Sequence, residues 1–313
     1  MPPVIRIQRL SKRFGAELAL NEVSFEVPPG VVFALLGENG AGKTTAIRIM
    51  LGLAQPNSGK AEVLGLDSAK QGLQIRQRVG YVAERPTLYE WMSVEEIGWF
   101  TAGFYGPGFL PEYVKLATQF GLPPKKKLKT LSKGTRAKVA LSLALAHQPD
   151  LLVLDEPTSG LDAMVRREFL ESMVDRASQG QTVFLSSHQI IEVERVADIV
   201  AILRKGKLLL VEPLDELKAA VKRLIITLKD GATTMPALGG HVLSQQWQQR
   251  QGQAIVRGMT DGQLAMLRAN DGVAAVEVHP TSLEDIFIAY MQGNGAASSP
   301  QWSRNILQEA LQP

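Results

Sequence analysis

Apolar residues in this chain fall into short runs, and the stretches between them carry them at helical spacing. The runs at 31–36, 79–82, 151–154 and 182–186 are bounded by turn residues or a change of pattern. Runs of this length read as strands buried in a sheet. Between them, 44–51, 71–78, 132–147, 164–178 and 190–197 are predicted to be helical. Strands are also predicted at 4–10 and 23–27, separated by a turn at Lys12-Arg13-Phe14-Gly15, at 60–64, and as a hairpin at 199–203 and 207–211. Strands alternating with helices imply an α/β fold around a largely parallel sheet, with ligands at the carboxyl ends of its strands.

Two regions break the alternation. From about 90 to 129 there is no β-rich run, and aromatic residues, glycines and prolines accumulate. This stretch reads as an inserted helical subdomain, about 88–145 in full. After Pro213 the pattern weakens. Strands are expected at 224–228, 254–256 and 273–278, with a helix at 261–268 and a last helix opening at Thr281-Ser282-Leu283-Glu284, a capping-box spacing. The expected organisation is a first domain at 1–215, a small α+β domain at 216–290 and a tail at 291–313. In the tail, a Gly/Ala/Ser-rich linker precedes Trp302, Ile306 and Leu307, which would share one face of a short helix. There is no internal repeat.

Composition narrows the function. With 313 residues, 45% hydrophobic and 21% charged, the chain can bury the cores of about two domains. Its net charge of +3 gives no broad basic surface, so nucleic acid is not expected as a partner. The run Lys125-Lys126-Lys127 reads as a solvated face. The chain has no cysteine, which excludes disulfides and thiolate metal sites. Residues 1–10 lack the apolar core of a signal peptide, and no apolar run approaches the roughly 18 residues of a membrane span. A soluble chain is expected, one that serves any membrane process through a partner.

The candidate chemistry begins where the first buried run ends. Gly37-Glu38-Asn39-Gly40-Ala41-Gly42-Lys43-Thr44-Thr45 fits the phosphate-loop pattern G-x-x-x-x-G-K-[ST], placed between a strand and a helix. The glycines allow close backbone approach to an anion, and the helix start offers free N–H groups. Lys43 would reach the β- and γ-phosphates of a nucleotide, and the Thr44 hydroxyl would ligate Mg²⁺. A second acidic strand end follows at Asp155-Glu156. Asp155 can hold Mg²⁺ directly or through water, and Glu156 is placed to polarise an attacking water. Three further stretches have bland readings when taken alone. Leu131-Ser132-Lys133-Gly134-Thr135 would be an ordinary helix cap, Ser159-Gly160-Leu161-Asp162 a surface turn, and His188, after Ser186-Ser187, a structural histidine.

Together and in this order, these stretches resemble the nucleotide-binding subunit of ATP-binding cassette (ABC) proteins over about 1–215. The resemblance implies a P-loop NTPase core of the ABC ATPase type, with ATP and Mg²⁺ as cofactors. By it, residues 37–45 form the Walker A loop, 151–155 the Walker B strand, and Glu156 the catalytic carboxylate. Residues 159–162, with Asp162, match the D-loop, and His188 the switch histidine. Ser132 and Gly134 lie in the signature that meets the γ-phosphate across a dimer, and Phe14 matches the aromatic that stacks on adenine. Two motifs depart from the family. Lys133 and Thr135 replace a glycine and the glutamine of the signature L-S-G-G-Q, and Glu84 stands where the Q-loop glutamine usually does. A carboxylate there can still contact Mg²⁺ or its waters.

With one set of motifs, the resemblance implies a homodimer or a pairing with a homologous subunit, closing head to tail over two ATPs. The segment Ser282-Leu283-Glu284-Asp285-Ile286-Phe287 looks like the end of ATP-binding subunits of bacterial drug and antibiotic exporters, whose permease is a separate chain. The same residues have helix-face spacing and would also serve simply to pack the small domain. The chain would then be cytoplasmic, peripheral on the inner face of the membrane through that permease. Tyr89 and Trp91, just after Glu84, are expected to line the permease groove and to be partly exposed. The alternative is a soluble ABC ATPase acting on nucleic acid or ribosomes. Its known relatives carry two cassettes, long coiled coils or zinc-binding cysteines, and this chain has none of these.

Overall fold

The computed structural model of the chain describes residues 1–232 and 236–292. Trp302, Ile306, Leu307 and all but the first residue of the expected linker lie outside the described residues. The chain divides into two compact units, Met1–Leu208 and Leu209–Pro313.

The first unit opens with a hairpin of β1 (Ile5–Phe14) and β2 (Glu17–Val27). The turn expected at 12–15 is shorter, because Arg13 pairs with Leu18 and Phe14 with Glu17. Polar side chains do not end a strand whose backbone is paired and whose side chains reach solvent. Gly15, at φ 56°, turns the chain instead. There follow β3 (Val32–Leu36), α1 (Lys43–Met50), β4 (Ser58–Val63), β5 (Leu66–Asp67), α2 (Gly72–Arg78) and β6 (Val79–Val82). The helical insertion holds α3 (Val94–Ala102), α4 (Phe109–Gln119) and α5 (Lys133–Leu145). The core resumes with β7 (Leu151–Asp155), α6 (Ala163–Ser178), β8 (Thr182–Ser187), α7 (Ile190–Val196) and β9 (Ile199–Arg204), and β10 (Lys207–Pro213) carries the chain across the boundary into the second unit.

Two sheets result. One is antiparallel with order β2-β1-β4-β5, and the other has order β10-β9-β3-β8-β7-β6. In the second, β3, β7 and β8 are buried along their whole length, which is why they read as continuous apolar runs. Phe25 of β2, Phe33 of β3 and Phe184 of β8 stack with centroids 5.3 to 6.2 Å apart, joining the two sheets. Such aromatic pairs are each worth about 0.5–1.5 kcal/mol beyond the area they bury. The parallel register aligns Leu36 with Ser187, Asp155 with Ser186 and Val82 with Leu154. The carboxyl ends of β3, β6, β7 and β8 therefore share one edge, and each candidate stretch of the core emerges there.

The insertion is built on a different economy of side chains. Ser93 and Glu96 form a capping box at the start of α3, with bonds of 3.2 and 2.6 Å. Tyr113 of α4 lies against Gly98 of α3, leaving no room for a side chain there, and its hydroxyl donates to the Val94 carbonyl at 2.7 Å. Lys127 pairs with the exposed Glu96 at 2.9 Å, while Lys125 and Lys126 face solvent.

In the second unit, α8 (Leu214–Ala220) is followed by β11 (Val221–Leu228), β12 (His241–Gln248), β13 (Gln251–Arg257), α9 (Asp261–Arg268), β14 (Val273–His279) and α10 (Leu283–Gln292). The strands form an antiparallel sheet of order β12-β13-β11-β14. Leu264 and Leu267 of α9 join Leu224, Ile226, Ala254 and Val256 in its core. The unit begins before the expected boundary at 215. Glu212 pairs with Arg257 at 2.6 Å, and α8 packs on β11, which ties the chain ahead of Asp215 to this sheet. The last helix is also capped one residue later than expected. Thr281 is buried and donates to the Val221 carbonyl at 3.0 Å, while Ser282 Oγ accepts the Asp285 N–H at 3.1 Å. Leu283, Ile286 and Phe287 are buried in α10, so packing is a role they do fill.

Candidate nucleotide site

The phosphate loop is shaped by what surrounds it. A side chain at Gly37 would strike the Leu203 carbonyl at 2.5 Å, and Gly42, at φ 109°, lies against the Ala19 carbonyl of β2. Glu38, Asn39 and Gly40 are exposed, whereas Ala41 and Lys43 are buried. Lys43 is the first residue of α1, and the first-turn N–H groups of a helix have no partner within it. Its ammonium donates to the Gly37 carbonyl at 2.7 Å and the Glu38 carbonyl at 3.2 Å. It also lies 3.0 Å from Glu156 Oε1. That oxygen makes no directed hydrogen bond, so the contact is one of charge with charge.

Glu156 sits just past β7 with φ 49°, a strained conformation for a residue with a side chain. Its N–H bonds both the carbonyl and the hydroxyl of Ser186, at 3.1 and 3.2 Å. Its Oε2 meets His188 Nδ1 at 2.7 Å and accepts the His188 N–H at 3.3 Å. The strain is thus held by neighbours on β8, and the carboxylate is fixed between Lys43 and His188.

Asp155 is buried, and Ser186 Oγ donates to its Oδ1 at 2.5 Å. Burial holds its carboxyl above the usual range, partly offset by hydrogen bonds from Ser186 and Thr44, with Glu156 and Glu84 adding repulsion. Burial of its own, with the charge of Asp155 second, pushes the Tyr81 hydroxyl up to about 12. Thr44 is thus hydrogen-bonded to the buried Asp155, and Glu84 is near enough for its charge to be felt there, hard oxygen donors of a kind that fits Mg²⁺. No group of three or more His, Cys, Asp or Glu that could hold a metal occurs among the described residues. An ion here would share its shell with phosphate and water.

The remaining candidates make local contacts of their own. Ser132 caps α5, accepting the Thr135 N–H at 3.1 Å and sharing a 2.8 Å hydrogen bond with the Thr135 hydroxyl. Thr135 therefore closes the cap at the position where the signature has glutamine. Gly134 packs against Val165, and the Lys133 ammonium lies over Gly160 of the same chain. Asp162 caps α6, accepting the N–H groups of Met164 and Val165 at 3.1 and 3.0 Å. Phe14 is 53% exposed, with the Lys12 ammonium 5.0 Å from its ring centre. Ser186 went unrecognised in the sequence, although it bonds both acidic residues. The only hint was its place two residues before His188 on an apolar run.

The ABC transporter family profile matches residues 20–159. A probable multidrug ABC transporter ATP-binding protein of Escherichia coli (strain K12) is 38% identical over 221 residues, which are 69% of this chain and 38% of that protein's length. The bacitracin transport ATP-binding protein BcrA of Bacillus licheniformis is 30% identical over 306 residues, covering 94% of this chain and 99% of that protein. A solved ATP-binding subunit of an ABC transporter superposes with a TM-score of 0.64 at 31% identity, covering 69% of this chain and 92% of that one. The parallel sheet, the phosphate loop at its edge and these relatives agree: the chain belongs to the ABC transporter family, as an ATP-binding subunit with the ABC ATPase fold.

Proposed function

We propose that the chain hydrolyses ATP to drive export through a separate membrane permease, working in a head-to-tail pair of ATP-binding subunits. The observation that carries the chemistry is the meeting of Lys43, Asp155, Glu156 and His188 at the carboxyl edge of β3, β7 and β8. Residues 37–45 bind the phosphates, with Lys43 supplying charge to the β- and γ-phosphoryl oxygens. Thr44 and Asp155, with Glu84 near them, would hold Mg²⁺, which would neutralise phosphoryl charge when bound. Glu156 takes the proton of the attacking water, and His188 keeps that carboxylate aimed. Ser132 and Gly134 contact the γ-phosphate on the opposing subunit, with Asp162 at the same interface, and Phe14 stacks on adenine.

Export is supported by the bacitracin transport protein, which matches this chain along almost its whole length. A peptide antibiotic or a related compound is the cargo class this favours. No helix among the described residues is long and apolar enough to cross a membrane, so the pathway is assigned to the permease. Tyr89 and Trp91, 50% and 64% exposed beside the Glu84 loop, suit its docking on the cytoplasmic side. The alternative of an ATPase acting on nucleic acid finds no support in relatives named for transport. Co-purification in detergent with the permease is the test. The complex should hydrolyse ATP faster when a peptide antibiotic is added. Failure to bind any membrane subunit, together with steeply salt-dependent binding to RNA or DNA, would overturn the proposal.

A further inference from the structure

Behind the site lies a buried polar cluster with no part in the chemistry described so far. Glu192, on the first turn of α7, is 7% exposed. Its Oε2 accepts the hydroxyl of the buried Thr158 at 2.5 Å. Its Oε1 lies 3.0 Å from Arg166 Nε of α6, close in charge but outside hydrogen-bond geometry. Arg166 uses its other nitrogen, Nη2, to donate to the Leu161 carbonyl at 3.0 Å. Thr158 and Leu161 belong to the segment that leaves Glu156. That segment is also closed internally by Ser159 N to Glu156 O at 3.2 Å and Leu161 N to Thr158 O at 3.1 Å.

These contacts complete a ring. Glu156 bonds His188 at 2.7 Å, four residues lead from His188 to Glu192, Glu192 bonds Thr158, and two residues lead back to Glu156. A second arm runs from Glu192 through Arg166 to Leu161. A buried carboxylate is costly unless paired and hydrogen-bonded, so such a group holds its partners firmly. We propose that Glu192 is a positioning residue: it locks the 158–161 loop to the segment carrying His188, so that Glu156 and the loop keep one alignment. The inference rests on the proposed roles of Glu156 and His188. It predicts that a shift of His188 is passed to Leu161 through Glu192 and Arg166.

The test is steady-state hydrolysis of Mg-ATP by the full chain carrying Glu192→Ala, Glu192→Gln, Thr158→Val or Thr158→Val with Glu192→Ala. Misplacing a catalytic group by about 1 Å can cost on the order of 10²-fold. Glu192→Ala should therefore lower kcat about 10- to 100-fold while KM for ATP stays within about twofold. Thr158→Val, which deletes one hydrogen bond to a charged group, should cost about tenfold. The double variant should be no slower than Glu192→Ala, the non-additivity expected of residues in one network. Glu192→Gln keeps an acceptor for Thr158 and should recover part of the loss. Two results overturn the proposal: wild-type kcat in folded Glu192→Gln and Thr158→Val, or a loss that follows the fall in melting temperature and equals the loss of nucleotide binding. Glu156→Gln measured alongside separates the two ideas. Undiminished hydrolysis there removes the site reading itself, whereas abolished hydrolysis there with unchanged Glu192 and Thr158 variants removes only this inference.

Discussion

The carboxyl edge of the central sheet and the outer face of the helical insertion treat their side chains in opposite ways. At the edge, charged groups are sunk into the protein and each is tied to several partners. Lys43 and Glu156 are 5% and 6% exposed, yet Lys43 contacts two carbonyls and a carboxylate. On the insertion, large apolar rings stand in solvent: Trp91 is 64% exposed, Trp99 71% and Phe104 72%. The rings touch one another, with Tyr89 5.3 Å from Phe100 and Phe100 5.5 Å from Phe104. Buried charge suits a small anionic ligand that has to be desolvated and aligned. Exposed aromatics suit a protein partner that supplies the missing cover. The proposed function places chemistry in one region and docking in the other, and each placement can be broken separately.

The largest effect should come from the scaffold that aligns the edge. Phe184→Ala removes the shared ring of the Phe25–Phe33–Phe184 stack and should destabilise the protein by about 3–5 kcal/mol, read from denaturant unfolding. A loss below about 1 kcal/mol would mean that the stack is not what joins the two sheets. Next is Lys43→Ala, which deletes an ammonium facing the phosphates. It should weaken Mg-ATP binding by about 1.5–3 kcal/mol, measured by calorimetry. Binding at the wild-type level would detach Lys43 from the phosphate-loop role. The smallest effect on the enzyme itself is expected from Tyr89→Ala and Trp91→Ala. Surface substitutions away from structural features usually stay within about 0.5 kcal/mol, so basal hydrolysis should change by no more than about twofold. Co-purification with the permease should fall clearly. If both variants lose their fold, these rings are core and the contrast collapses.

The sequence and the structure agree best where physics leaves a local signature. The strands β3, β7 and β8 are buried on both faces, so apolar runs reveal them. The phosphate loop was legible for the same reason, since its glycines and lysine follow one such run directly. The strand β12 was not anticipated. Among its residues His-Val-Leu-Ser-Gln-Gln-Trp-Gln only Leu243 is buried, and as an edge strand it needs little more. The cap of α10 was misplaced by one residue, because Thr281 and Ser282 both suit that role and only tertiary contact sends Thr281 to Val221. The link between Thr158 and Glu192 joins residues 34 apart in sequence. It exists only once β7 and β8 pair in register, and no local pattern announces it.

In the proposed function Glu156 carries the chemistry while the rest of the edge holds the nucleotide. The most direct test is the nucleotide content and assembly state of Glu156→Gln in Mg-ATP, measured by size-exclusion chromatography with analysis of the bound nucleotide. A positioned general base is worth about 10²- to 10⁴-fold, so turnover should fall by that much while Mg-ATP remains bound, intact, in a trapped dimer. Hydrolysis near the wild-type rate, with ADP recovered from a monomer, would contradict the account.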